Sequence, residues 1–219
     1  MKLILSSAAL LSAIALAPLA YAADAPKPDQ DGWYQLFNGK NLDGWKVSED
    51  NPETFKVVDG AIVAHGEAAH IFYDGPVENH DFKNFEYECE VMTKPQANSG
   101  MYFHTKYQPK GWPSTGIECQ VNNTHGDPKK TGSLYNIKNV MDKSPAKDNE
   151  WFTQNITVKD NHVTVKVNGE VVNEWTQPDD FKREDGWKDA KLNRGTFALQ
   201  GHDPGSETHY RSVKVKPLK

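Results

Sequence analysis

The sequence predicts an all-β fold, a single-domain β-sandwich of the jelly-roll kind. Short segments that alternate polar and apolar residues recur along the chain, with a turn signal about every ten residues. Helical periodicity is nearly absent, and two dipeptides, Asp59-Gly60 and Asn168-Gly169, have the chemistry of two-residue hairpin turns. A closed barrel stays open as the alternative, because alternation does not reveal whether a sheet closes on itself.

Residues 1–22 read as a signal peptide: Met1-Lys2 is basic, Leu3 to Leu19 is apolar, and Ala20-Tyr21-Ala22 is a small-x-small cleavage site. This predicts a mature chain starting near Ala23 that is periplasmic or secreted and keeps no membrane anchor. Pro18 and the small residues interrupt the stretch before it reaches the roughly 20 residues of a spanning helix. Residues 23–31, rich in Pro and charge, read as a flexible lead-in, and residues 32–219 as one domain.

Within that domain, Phe55 to Ala64 reads as two strands around Asp59-Gly60, and Phe85 to Met92 as a strand whose Glu86, Glu88 and Glu90 form a solvated face. His162 to Val172 is the clearest hairpin, with Val163, Val165 and Val167 on one face. Thr196 to Leu199 and Tyr210 to Val215 complete the strands, and Pro178 to Arg183 is a short helix candidate.

Lys and Arg number 25 against 30 Asp and Glu, a net charge of -5, and the two signs are mixed along the chain. No basic stripe is interleaved with aromatics, so nucleic acid and anionic membranes are excluded as partners. Cys89 and Cys119 are the only cysteines, each in phase with apolar neighbours, and buried thiols and a core disulfide both remain open. The sequence has no Gly-Lys-Ser/Thr phosphate loop, no His-Glu-x-x-His and no Gly-x-Ser-x-Gly. Phosphoryl transfer, zinc proteolysis and α/β-hydrolase chemistry are thereby unsupported.

Three strand segments carry polar groups in phase: Tyr102 with His104, Glu118 with Gln120 and Asn122, and Gln200 with His202. Met101, Phe103, Ile117, Cys119, Val121 and Leu199 then face the core. Placed side by side, these strands bring His104, Glu118, Gln120, Gln200 and His202 to one groove. That mixture suits a sugar, whose hydroxyls need fixed donors and acceptors. Trp112 and Tyr107 lie on a Pro/Gly-stiffened loop and are candidates either to stack on a sugar ring or to anchor their own loop. His125 and Asp127 form a two-ligand pair better suited to a turn than to a metal.

The segment Gly32-Trp33-Tyr34-Gln35-Leu36-Phe37-Asn38-Gly39-Lys40-Asn41-Leu42-Asp43-Gly44-Trp45 resembles the opening of the 3-keto-disaccharide hydrolase (3-keto-glucoside lyase/hydratase) family. The likeness continues through Asn98 to His104, Gly116 to Val121, Thr131 to Tyr135, Glu150 to Phe152, Val167 to Gly169 and Ala198 to His202. It implies a concanavalin A-like jelly roll acting on a small carbohydrate already oxidised at its 3-hydroxyl. Two departures stand out: His104 where many members carry Arg, and Gly201-His202-Asp203 where Asp-His-Gly is usual.

A ketone at C3 acidifies the C2 proton, so the implied reaction needs one base, an acid for the departing C1 oxygen and donors for the enolate oxygen. The resemblance implies Glu118 as base, His104 as acid or second base and Tyr135 as proton donor. Gln120, Gln200, His202, Tyr102 and Trp112 would bind substrate. The sequence identifies no certain cofactor, and a divalent cation on the 3-keto oxygen is left open as a substitute for some donors. Two other classes compete: a glycosidase, which needs paired carboxylates, and a non-catalytic carbohydrate-binding module. The His-rich groove favours an enzyme, because binding alone rarely needs groups that titrate near neutrality.

Overall fold

The structure, a computed structural model, describes residues 26–184 and 186–219; the predicted signal peptide lies outside them. Thirteen strands carry the fold, beginning with β1 (Tyr34–Gln35), β2 (Trp45–Val47), β3 (Phe55–Val58), β4 (Ala61–His65), β5 (Ala69–Tyr73) and β6 (Phe85–Thr93). They continue with β7 (Ser99–Thr105), β8 (Ile117–Val121), β9 (Phe152–Lys159), β10 (His162–Val167), β11 (Glu170–Thr176), β12 (Thr196–Gly201) and β13 (Glu207–Pro217). Among the described residues the helices are two 3₁₀ turns, Pro52–Thr54 and Val77–His80.

The strands form two antiparallel sheets, one ordered β11-β10-β9-β6-β13-β4-β3 with β1 beside β13, the other ordered β2-β5-β12-β7-β8. Strands consecutive in the chain cross between the sheets, as β4 to β5, β5 to β6 and β6 to β7 do, which is jelly-roll connectivity. Both Asp59-Gly60 (φ 49° and 76°) and Asn168-Gly169 (φ 50° and 83°) take the two left-handed positions of a type I′ turn, as their chemistry predicts.

Alternation sets the core. On β6, Phe85, Tyr87, Cys89 and Val91 point inward, and Tyr87 stacks on Phe197 of the opposite sheet with ring centroids 4.1 Å apart. An aromatic contact of this kind contributes about 0.5–1.5 kcal/mol beyond its buried area. Two of the three outward glutamates are cross-strand partners rather than a merely wet face. Glu88 pairs with Lys214 at 2.9 Å and Glu90 with Arg211 at 2.7 Å, directly opposite on β13.

The five-stranded sheet differs, because β5, β7, β8 and β12 are buried on both faces. One face packs in the core, and connecting segments cover the other. Cys89 and Cys119 are free buried thiols, and Gln154 Nε2 donates to Cys119 Sγ at 3.2 Å.

The helix candidate Pro178 to Arg183 is not helical: a turn at 179–180 gives way to irregular chain. Side-chain ties hold that path. Phe181 packs edge-on to Trp175, and Arg183 donates to the carbonyls of Tyr135 and Ala190. In the lead-in, Asp29 Oδ1 accepts from the Asp31 and Trp33 amides, each at 2.9 Å.

Candidate functional site

The covered face of the five-stranded sheet is a grid set by strand register. Phe72 pairs with Ala198, Ala198 with Tyr102, and Tyr102 with Glu118, so these four share one row across the sheet. Two residues along the strands, His70 pairs with Gln200 and Gly100 with Gln120. Since side chains alternate with period two, both rows face the same way, while Met101, Cys119 and Leu199 between them enter the core.

Glu118 is the centre of this grid. Its carboxylate is buried, with Tyr102 Oη donating to Oε2 at 2.9 Å and Gln200 Nε2 donating to Oε1 at 3.0 Å. In the orientation that satisfies both ends of its amide, Gln120 donates to Oε1 as well, at 3.0 Å. Gly100 makes room, since a Cβ there would stand 2.5 Å from Glu118 Oε1. Burial pushes the Glu118 carboxyl up to about 7; bonds from Tyr102 and Gln200 pull it back, Asp127 adds to the rise and Lys129 opposes it. Burial and the neighbouring Glu118 carboxylate push the Tyr102 hydroxyl well above its ordinary range, so it remains a donor.

A cavity of about 250 Å³ opens over Glu118, lined also by Asn98, Tyr102, Trp112, Gln120, Tyr135, Trp187, Gln200 and His202. Among these residues Glu118 is the one carboxylate. The Tyr135 amide donates to Glu118 O at 3.0 Å, and its hydroxyl donates to Asp127 Oδ2 at 3.2 Å. Its ring stacks on Trp187, while Arg183 lies 4.9 Å over that indole. His202 Nδ1 lies 2.7 Å from Asp203 Oδ2. Burial works against the Asp203 carboxylate, but bonds from Ser206, His202 and the Gly205 amide outweigh it and hold it below the usual carboxylate range. Trp112 lies 5.4 Å from His202, and its indole is half exposed. Tyr107 takes the loop-anchoring role, edge-on to Phe72 with Lys46 over its ring.

His104 does not join this site, which corrects the expectation that it shares the groove with Glu118. Its backbone takes a left-handed φ of 55°, which breaks the period-two alternation of β7 after Phe103. The register against β12 shifts there, between Thr196 and Ala198. Gly116 and Gly195 press against this bulge: a Cβ would stand 2.4 Å from Phe103 O at the first and 2.2 Å from Thr105 O at the second. The imidazole packs against Phe85; Nδ1 accepts from the Asn193 amide and Nε2 donates to Lys83 O at 2.9 Å. Burial lowers its pKa to about 4, so it is a neutral structural histidine.

Asn98 and Trp187 are lining residues that the sequence reading did not single out as site residues. Asn98 sits just before β7, out of the strand pattern that located Tyr102. Trp187 belongs to an irregular segment with no periodicity to mark its direction. Among the described residues no three His, Cys, Asp or Glu side chains cluster as a metal site, and no helix is long and apolar enough to cross a membrane.

These buried groups set an expected pH profile for stability. Burial, aided by His202, lowers His70 from 6.5 to about 3, and His104 falls to about 4. Below pH 6.5 the unfolded chain therefore takes up protons that the fold refuses, and each histidine removes about 1.4 kcal/mol of stability per pH unit. Glu118 acts oppositely: the fold keeps its proton from pH 4.5 up to about 7, so stability falls over that range as pH rises. The two histidines outweigh the one carboxyl below 6.5, and Glu118 alone acts above it. Urea unfolding at a series of pH values should show maximal stability near pH 6.5. A steady rise through pH 8 would contradict this balance.

The site so described can be set beside known proteins. A family model for a 3-keto-alpha-glucoside-1,2-lyase-like domain matches residues 32–216. A 3-keto-disaccharide hydrolase of Bacteroides thetaiotaomicron is 25% identical over 234 residues, covering 87% of this chain and 80% of that protein. The crystal structure of a provisionally assigned glycosyl hydrolase from Parabacteroides distasonis superposes with a TM-score of 0.69 at 25% identity, over 86% of this chain and 95% of that one. A carbohydrate binding module from Bacillus subtilis shares the fold alone, with 12% identity and a TM-score of 0.52, over 78% of this chain and 94% of that one. The family match spans the sandwich from the turn before β1 to the last strand and includes every residue of the Glu118 cavity. By that match the chain belongs to the family of 3-keto-alpha-glucoside-1,2-lyase-like domains.

Proposed function

We infer that the protein is an exported, periplasmic enzyme that cleaves 3-keto-glycosides by β-elimination and hydrates the product. The observation that carries this reading is a single buried carboxyl at a cavity floor with a pKa of about 7. A glycosidase working through an oxocarbenium ion needs two carboxylates about 5–10 Å apart across the scissile bond. Elimination next to a ketone needs one base, best matched to the working pH.

Ionised Glu118 removes the C2 proton, and the C2–H electron pair becomes the enolate with its charge on the C3 oxygen. The enolate collapses to restore the ketone, forms the C1–C2 double bond and breaks the bond from C1 to the leaving oxygen, which takes a proton. Water then adds at C1, a proton returns to C2, and the net result is hydrolysis. His202 takes the acid role that the resemblance implied for His104: Asp203 holds its Nδ1–H, which leaves Nε2 to exchange a proton. The Asn98 amide lines the cavity and supplies a donor to the enolate oxygen, while the Gln120 amide holds the Glu118 carboxylate. A carbohydrate-binding module shares the architecture, but a carboxyl poised near neutrality serves proton transfer rather than sugar binding.

The test is to incubate the protein with 3-keto-glucosides and plain glucosides, each deuterated at C2, and to follow rate and label by mass spectrometry. The expected result is cleavage of the keto compounds alone, slowed by the label, with deuterium washed into solvent. Full retention of deuterium together with cleavage of plain glucosides would replace this reading with the glycosidase.

A further inference from the structure

A second cavity, of about 490 Å³, lies at the end of the five-stranded sheet where β5 ends in Tyr73, β7 ends in Thr105 and β12 begins at Thr196. It shares no lining residue with the Glu118 cavity, and its volume falls within the roughly 300–1,000 Å³ of a small-molecule site. Phe72 and Tyr107 form its apolar wall. Phe72 stands in the row that runs through Ala198 and Tyr102 to Glu118, three strand spacings of about 4.8 Å from the carboxylate.

Three irregular stretches of backbone converge on this cavity. Glu78, Asn79 and His80 are consecutively left-handed, with φ of 49°, 51° and 48°. Residues other than glycine visit that region singly rather than in runs, and such outliers cluster where a fold clamps a ligand. The bulge at His104 comes directly before Thr105 and Lys106, which line the cavity. Gly195 and Phe82 exchange backbone bonds of 2.8 and 3.0 Å, which fasten the two walls to each other.

The polar groups on these walls define the ligand. Arg194 is committed to Asp81, its Nε donating at 2.8–2.9 Å to the carboxylate and its Nη2 to the Asp81 carbonyl. That leaves one carboxylate, Asp74, and one ammonium, Lys106, whose Nζ has no protein acceptor among the described residues. His80 donates from Nδ1 to Gly75 O at 3.2 Å, so the neutral ring presents Nε2 as an acceptor, 3.7 Å from Asp74 Oδ1. Two acceptors thus face each other with no donor between them, and both side chains are about half exposed, within reach of a ligand. An anion here would meet Asp74 and a cation would meet Lys106. A neutral polyhydroxyl ring both donates and accepts, and so uses the whole set, with its C–H face against Phe72 and Tyr107.

We propose that this cavity is a second, non-catalytic carbohydrate site that holds a neutral sugar ring of an intact glycan, with ring hydroxyls donating to Asp74 and His80 and accepting from Lys106. It is separate from the Glu118 cavity and does not depend on the reaction assigned there.

The probes are maltotriose, cellotriose, laminaritriose and mannotriose, with inorganic phosphate and spermidine as the ionic alternatives, each titrated into the Glu118→Gln protein so that turnover plays no part. Backbone amide NMR is expected to show saturable shifts at His80, Lys106 and Gly195 with at least one trisaccharide. Asp74→Ala and Lys106→Ala should each weaken that binding by about tenfold or more, the worth of a hydrogen bond to a charged group. Both substitutions are at exposed positions, and an otherwise unchanged amide spectrum reports that the variants fold. Placed on the wild-type chain, the same two substitutions should leave cleavage of a 3-keto-glucoside unchanged. Trisaccharide shifts confined to the amides around Glu118, no shift at this cavity with any trisaccharide, or shifts there with phosphate or spermidine alone would each overturn the assignment. Saturable binding that both variants weaken, in a protein whose wild type cleaves no keto-glycoside, would uphold this site and overturn the reaction instead.

Discussion

Replacing Glu118 with Gln is expected to lower turnover of a 3-keto-glycoside by about 10²- to 10⁴-fold, the span typical of positioned proton transfer. The substitution keeps the side chain's shape and its place between Tyr102 and Gln200 and removes only the basic oxygen. Because the carboxyl sits near pH 7, the wild-type kcat/KM should rise as pH increases through about 7, where the base becomes ionised. The variant's residual activity should lack that limb. Substrate affinity should change little, since loss confined to kcat marks an interaction made in the transition state. The measurements are steady-state kinetics from pH 5 to 9 on both proteins. A variant that keeps its turnover, or keeps the ascending limb, would remove Glu118 from the base role. The same variant should lose the fall in stability above pH 6.5, since it no longer desolvates a carboxylate; activity and stability are in opposition at this residue.

The second large effect is expected from the smallest substitution, Gly100→Ala. Gly100 has no left-handed φ, so its backbone tolerates Ala. The obstacle is space: the added Cβ would stand 2.5 Å from Glu118 Oε1 and 2.8 Å from its Cγ. The carboxylate must leave the bonds from Tyr102 and Gln200 or the strands must part. Overpacking of this kind costs about 1–3 kcal/mol, and a displacement of about 1 Å in a reacting group costs about 10²-fold in rate. The expected outcome is a folded protein by circular dichroism, a lowered melting temperature and at least a hundredfold loss of kcat. Activity within a few-fold of wild type would show that Glu118 works from a position the structure does not contain.

Much of this was legible in the chain. Type I′ hairpins at Asp59-Gly60 and Asn168-Gly169 follow from residues that accept two left-handed positions, a purely local preference. The outward direction of Glu118 and Gln120 follows from Cys119 facing the core between them, because neighbours in a strand point oppositely. The same rule, applied two residues too far along β7, misplaced His104. The alternation it assumes ends where Gly116 and Gly195 of neighbouring segments press on the backbone and a bulge forms.

The sequence by itself determined a strand-built domain, its hairpins and the strand face on which Glu118, Gln120, Tyr102 and Gln200 lie, because turn chemistry and period-two alternation are properties of a few adjacent residues; that the strands divide into two sheets rather than close into a barrel was decided by tertiary structure. Tertiary structure alone decided which way His104 turns, that Cys89 and Cys119 remain thiols, and that Asn98 and Trp187 reach the cavity. It also decided that the Glu118 carboxyl titrates near neutrality rather than near 4.5. Those outcomes depend on register between strands distant in sequence and on which loops remove a group from water. A bulge position or a desolvated carboxylate is fixed by neighbours that the local sequence does not contain.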